Sequence, residues 1–80
     1  MKVKLFATLK DRAKASEVAI DMPQALTVQM LRAVIATQFP QLAPLLPQSV
    51  VAVNKEFAFN HDTVQPTDEV ALFPPVSGGQ

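Results

Sequence analysis

At the start of the chain apolar and polar residues alternate. Val3, Leu5 and Ala7 stand against Lys2, Lys4 and Phe6, and the alternation returns with Val18, Ile20 and Met22 against Glu17, Ala19 and Asp21. A period of two is that of a strand with one buried face. The polar stretch KDRAKAS between these runs reads as a short connection, so the pair predicts an antiparallel hairpin. Pro23 ends the second run and the period lengthens. Val28, Leu31, Ile35 and Phe39 recur every three or four residues, with Val34 widening the stripe. Gln29, Ala33 and Thr37 fall on the other side, Met30 towards it, which is the pattern of a helix buried along one face. Thr27 is placed to cap its first turn and Pro40 to stop it.

PQLAPLLPQS carries three prolines and cannot remain regular for long; Leu42, Leu45 and Leu46 are expected to pin it to the core. VVAVN predicts a third strand, NKE a tight turn into FAF, and EVALF a last strand, with Val70 and Leu72 on one face and Ala71 and Phe73 on the other. The expected order is strand, strand, helix and three further strands. Such an order predicts an α+β fold of the β-grasp type, a mixed sheet of about five strands with one main helix packed across one face.

Eighty residues allow one small domain, expected over residues 1–73, followed by a tail over residues 74–80. Seven basic and seven acidic residues cancel, and no basic stripe offers itself to phosphates. Cysteine is absent, which excludes disulfides, a persulfide nucleophile and thiolate metal sites on this chain. No apolar run approaches the length of a membrane span. The start MKVKLFATLKD reads as a strand and not a signal peptide, because charge returns at Lys10 and Asp11. A cytoplasmic protein is the expectation.

One helix covers only one side of a sheet. If Val3, Leu5, Val70 and Leu72 face the helix, parity sends Phe6 and Phe73 to the uncovered side. Phe57 and Phe59 share a face by the same parity, but which face is open from sequence. If Phe57 joins Phe6 and Phe73, an exposed apolar patch results, the mark of a partner surface.

The chain then runs into FPPVSGGQ. Pro74 and Pro75 lack an amide hydrogen and cannot extend a ladder, so they direct the chain off the sheet in an extended form. Residues 74–79 reach about 20 Å from the domain. Gly78 and Gly79 have no side chain to obstruct a narrow channel, and are expected to be mobile alone and fixed only by a partner. An unhindered glycine carboxylate can attack ATP to form an acyl-adenylate, from which a sulfur donor displaces AMP. A frayed terminus has the same composition. What separates the two is the setting of the glycines.

Taken together, VKLFATLKD, TVQMLRAVIATQF, VAVNKEF and above all DEVALFPPVSGG resemble the small, sulfur-carrier subunits of molybdopterin synthase, ubiquitin-like β-grasp proteins, over nearly the whole chain. The resemblance implies that an ATP-dependent activating enzyme adenylates the Gly79 carboxyl and loads it with sulfur as a thiocarboxylate. The tail, with Gly78 and Gly79 leading, then enters a large synthase subunit and gives sulfur to a cyclic pyranopterin phosphate in molybdenum cofactor synthesis. It also implies a partner-binding set of Phe6, Phe57, Phe73, Pro74, Pro75, Val76 and Ser77. A heterotetramer with the large subunit, no cofactor bound by this chain, and catalytic lysines on the large subunit complete what it implies. Other carriers of this type, for thiamin or tRNA thiolation, and ubiquitin-like protein-binding modules are the alternatives. Gln80 departs from the pattern, since it makes the Gly79 carboxyl an amide. Either it is removed, or it is an addition to the natural sequence, or the chain is a relative that carries no sulfur.

Other chemistry-bearing residues point to structure. His61 and Asp62 sit in a polar loop with no nucleophile nearby. Ser77 lacks the glycine context of a nucleophilic serine. Asp68 and Glu69 are too few for a hard cation and more simply shape the turn into the last strand. Lys10, Arg12 and Lys14 read as a solvated turn able to guide an acidic partner.

Overall fold

The computed structural model describes residues 1–75. Strand β1, Lys2–Leu5, is followed by helix α1, Ala7–Ala13, and strand β2, Glu17–Ala19. Strand β3, Leu26–Thr27, leads into helix α2, Val28–Gln38. Two 3-10 turns, Pro40–Leu42 and Leu46–Gln48, then reach strands β4, Val50–Val53, β5, Glu56–Ala58, β6, Thr63–Val64, and β7, Val70–Phe73. The main sheet has five strands in the order β2-β1-β7-β4-β5, and β3 pairs with β6 in a second, two-stranded sheet. Only β1 and β7 run parallel; the other neighbours in the main sheet are antiparallel. The expected α+β mixed sheet of five strands under one main helix is the observed architecture.

The alternation read from sequence places the core. Val3, Leu5, Val18, Val51, Val70 and Leu72 are buried from the sheet, and Val28, Leu31 and Ile35 meet them from α2. Full burial of each such side chain is worth about 1.5–3 kcal/mol. Leu42 and Leu46 are also buried, with Leu45 packed beside them, so the proline-rich connection closes one end of the core as expected. At the start of α2 the Thr27 hydroxyl accepts from the Met30 amide at 3.2 Å. Carbonyls of Asp62 and Asn60 take the next free amides, those of Val28 at 2.9 Å and Gln29 at 3.0 Å. Helix α2 stops at Gln38, before Pro40.

The polar connection between β1 and β2 is a correction. Most of the chain between these strands is α1, seven residues long with one fully buried side chain, Leu9. No side chain caps the start of α1; the Phe6 carbonyl instead accepts from the Leu9 amide at 3.2 Å. Ala7, expected to continue the strand, turns the chain at φ 52, a left-handed conformation that costs a non-glycine residue about 1–2 kcal/mol. Lys14, at φ 59, closes the helix, its amide bonding back to Asp11 and Lys10. The second strand also stops sooner than its alternation, although Ile20 and Met22 remain buried beyond it. The NKE turn is as expected: Asn54 and Lys55 both have positive φ, 52 and 70, the pair needed for a two-residue hairpin between β4 and β5.

Because Lys14 sits where glycine carries no steric penalty, Lys14→Gly is expected to stabilise the fold by about 0.5–1 kcal/mol, read from urea unfolding. An unchanged or lower midpoint contradicts the left-handed cap.

Candidate functional site

The register of the sheet builds the site. Lys4 lies opposite Ala71, Ala71 opposite Ala52, and Ala52 opposite Phe57, so these four residues make one row across the outer face. The next row on that face holds Phe73, with Phe6 just past the end of β1. The Phe6 and Phe73 rings stack with centroids 4.6 Å apart and planes 7° apart. Two alanines therefore form a low floor between the stacked pair and Phe57. The result is an open groove of about 380 Å³ lined by Lys4, Phe6, Ala52, Lys55, Phe57, Glu69, Ala71 and Phe73.

Phe57, whose face was open from sequence, joins Phe6 and Phe73. Phe57 is 77% exposed, against 41% for Phe6. Phe59 does not join them. Strand β5 ends at Ala58, the Phe59 amide turns to the Asp62 carboxylate at 2.7 Å, and the Phe59 ring stacks on His61 at 6.0 Å. Parity could not place Phe59 because parity holds only inside a strand.

Charge sits on the rim. Lys4 Nζ, on β1, donates at 2.9 Å to Oε2 of Glu69, the residue just before β7. That hydrogen bond, and then its charge, raises the Lys4 pKa and lowers the Glu69 pKa, with Lys55 adding to the second effect. Both groups are solvent-exposed, so the pair orients the rim and contributes little to stability. Asp68 shapes the turn as expected, accepting from the Gln65 amide at 2.8 Å and the Asn54 side chain at 3.1 Å.

Pro74, half-buried, and Pro75, exposed, follow Phe73 directly, so the chain leaves the sheet from the wall of the groove. Val76, Ser77, Gly78, Gly79 and Gln80 lie outside the described residues. His61 is exposed and 3.7 Å from Asp62, a solvated loop pair, as its sequence suggested. Among the described residues no group of acidic and histidine side chains could hold a metal ion, and no helix is long and apolar enough to cross a membrane. The sequence put Ala71 on the outer face with Phe73, but not Ala52 beside it as the second half of a floor; the signal was present, since both fall at outward positions flanked by inward valines and leucines.

The ThiS family model matches residues 3–79. The molybdopterin synthase sulfur carrier subunit of Escherichia coli is 39% identical over 84 residues, covering 99% of each chain. The crystal structure of SAMP1 from Haloferax volcanii superposes with a TM-score of 0.80 at 31% identity, over 98% of this chain and 97% of that one. A chain in the complex of subunits 1 and 2 of the molybdopterin-converting factor from Helicobacter pylori gives a TM-score of 0.65 at 25% identity, over 98% of this chain and 96% of that one.

If the aromatics serve another molecule and not this fold, Phe57→Ser is expected to change urea stability by less than about 0.5 kcal/mol. Leu72→Ala, one strand position from the groove but pointing inward, is expected to cost about 2–5 kcal/mol. Comparable losses in both variants contradict the assignment of faces.

Proposed function

The chain belongs to the ThiS family, and on that premise we propose that it is the sulfur-carrier subunit of a molybdopterin synthase, acting in the cytoplasm. The observation that carries this reading is the groove walled by Phe6, Phe57 and Phe73, at the point where the strand delivers the chain into Pro74 and Pro75. An exposed apolar groove beside a segment that carries paired glycines fits a protein that docks by one feature and delivers by the other.

In this reading the large synthase subunit seats on the groove in a heterotetramer. Pro74, Pro75, Val76 and Ser77 span to its active site, and Gly78 and Gly79 enter there. The complex formed by the Helicobacter relative supports such a partner. Loading comes first. A Gly79 carboxylate oxygen attacks the α-phosphorus of ATP, pyrophosphate leaves, and the acyl-adenylate forms on the activating enzyme. Hydrosulfide delivered by the loading machinery attacks the acyl carbon and displaces AMP, leaving the thiocarboxylate. In the synthase that sulfur forms a bond to a side-chain carbon of the cyclic pyranopterin phosphate as a carbon–oxygen bond of the phosphate ring breaks, and hydrolysis of the resulting thioester leaves the thiol on the pterin and returns the Gly79 carboxylate. The chain binds no cofactor of its own; ATP is consumed on the activating partner.

Loading acts on a chain that ends at Gly79, because while Gln80 is attached the Gly79 carbonyl is an amide and offers no carboxylate to ATP. A second reading, a ubiquitin-like protein joined to other proteins, draws on the similarity to a Haloferax volcanii structure named small archaeal modifier protein 1. Its product would be a covalent conjugate larger than either partner.

Intact mass spectrometry separates the readings. Incubated with its activating enzyme, ATP and a sulfur source, a form ending at Gly79 is expected to gain about 16 mass units, sulfur replacing oxygen. The chain retaining Gln80 and a form ending at Gly78 are expected to gain nothing while melting at the same temperature. No gain in the Gly79 form, under conditions that charge an established carrier, contradicts the proposal.

A further inference from the structure

On the other side of the sheet, α2 and the loops packed on it hold a cation that nothing in the carrier reading uses. Arg32 is the one charged residue between Asp21 and Lys55. Its side chain is half-buried. Nε donates to Asn60 Oδ1 at 3.0 Å, and Nη1 donates to the Leu46 carbonyl and to Ser49 Oγ, the latter at 2.7 Å. The Ser49 hydroxyl in turn donates to the Leu46 carbonyl at 2.7 Å. These bonds fasten α2 to the proline-rich connection and to the loop after β5.

Every one of these acceptors is neutral. Among the described residues the carboxylates within 4 Å of a basic nitrogen belong to Glu17, Glu69 and Asp62, beside Lys2, Lys4 and His61, so no carboxylate balances Arg32. Burial, unopposed by any acid, pulls its pKa down from the usual value. Nη2, moreover, meets no acceptor among the described residues. A half-buried charge held in place by neutral groups, with one edge of its planar fork unused, is an arrangement that gains from an incoming anion.

The surroundings select the anion. Arg32 opens onto a recess of about 330 Å³ whose other polar side chains are Gln29 and Asn60, with Ala33, Ala36, Ala43, Leu46 and Pro47 making the rest. One cation and two amides match the two oxygens of a carboxylate. The alanine and proline walls match an aliphatic stem and leave unanswered the third and fourth oxygens of a phosphate. We infer that this recess binds a carboxylate carried on a short aliphatic stem, the chemistry shared by a short-chain acid and a glutamate side chain of another protein. It lies across the domain from the aromatic groove, so both can be occupied together.

The test uses nitrogen-15-labelled chain and follows the Arg32 Nε–H and the Gln29 and Asn60 side-chain amides by NMR. Three probes are titrated: butyrate, N-acetylglutamate N-methylamide and inorganic phosphate. Saturable shifts with a carboxylate are expected, weakened about tenfold or more by Arg32→Gln. Tighter binding of butyrate identifies a free acid as the source, and tighter binding of the glutamate derivative identifies a protein side chain. Ala36→Glu provides a second variant should Arg32→Gln fail to fold. One helical turn from Arg32, its carboxylate is expected to occupy the site internally and abolish the response. No saturation, equal response to phosphate, or binding undiminished in the variants overturns the inference.

Discussion

Strand β7 fixes the molecule. It lies in the middle of the sheet, parallel to β1 on one side and antiparallel to β4 on the other. Successive side chains of a strand point to opposite faces. With Val70 and Leu72 committed to the core beneath α2, Ala71 and Phe73 have nowhere to go but the uncovered face. The same four residues thus hold the core together, floor and wall the groove, and aim the chain into Pro74. A slip of one residue would expose Val70 and Leu72 and bury the other two, destroying core and site at once.

The groove follows from size as much as from direction. Had Ala52 and Ala71 been large, the outer face would be a low ridge. As alanines between Phe57 and the stacked Phe6–Phe73 pair, they leave a depression that another molecule can fill. Phe57 is largely exposed, so the fold draws little stability from its ring. The buried side chains on the helix side supply it. Division of labour between faces lets the outer face be shaped for recognition. Arg32 extends the same logic to the back of the domain, where a fastening side chain leaves one edge of its charge unused.

What was legible in the sequence is what repeats or what a single residue dictates. The alternation through Val3 and Leu5, the stripe from Val28 to Ile35, the Thr27 cap and the Asn54–Lys55 turn each carry their own signal. Helix α1 was not legible because it is seven residues long, buries one leucine fully and starts without a side-chain cap. Strands β3 and β6, two residues each, are shorter than any period. The face of Phe57 needed the register of β4 against β5, which the turn sets and composition does not. Arg32, Leu46, Ser49 and Asn60 meet only after folding, and their spacing in the chain matches no pattern. The paired glycines were legible as sequence alone.

The central claim is that the alanine-floored groove is the seat of the large synthase subunit. Calorimetric titration of that subunit with the chain and with Ala71→Leu tests it most directly, since the larger side chain fills the groove from its floor. The account predicts that Ala71→Leu loses about thirtyfold or more in affinity while its melting temperature holds. Undiminished affinity in a folded Ala71→Leu variant would contradict it.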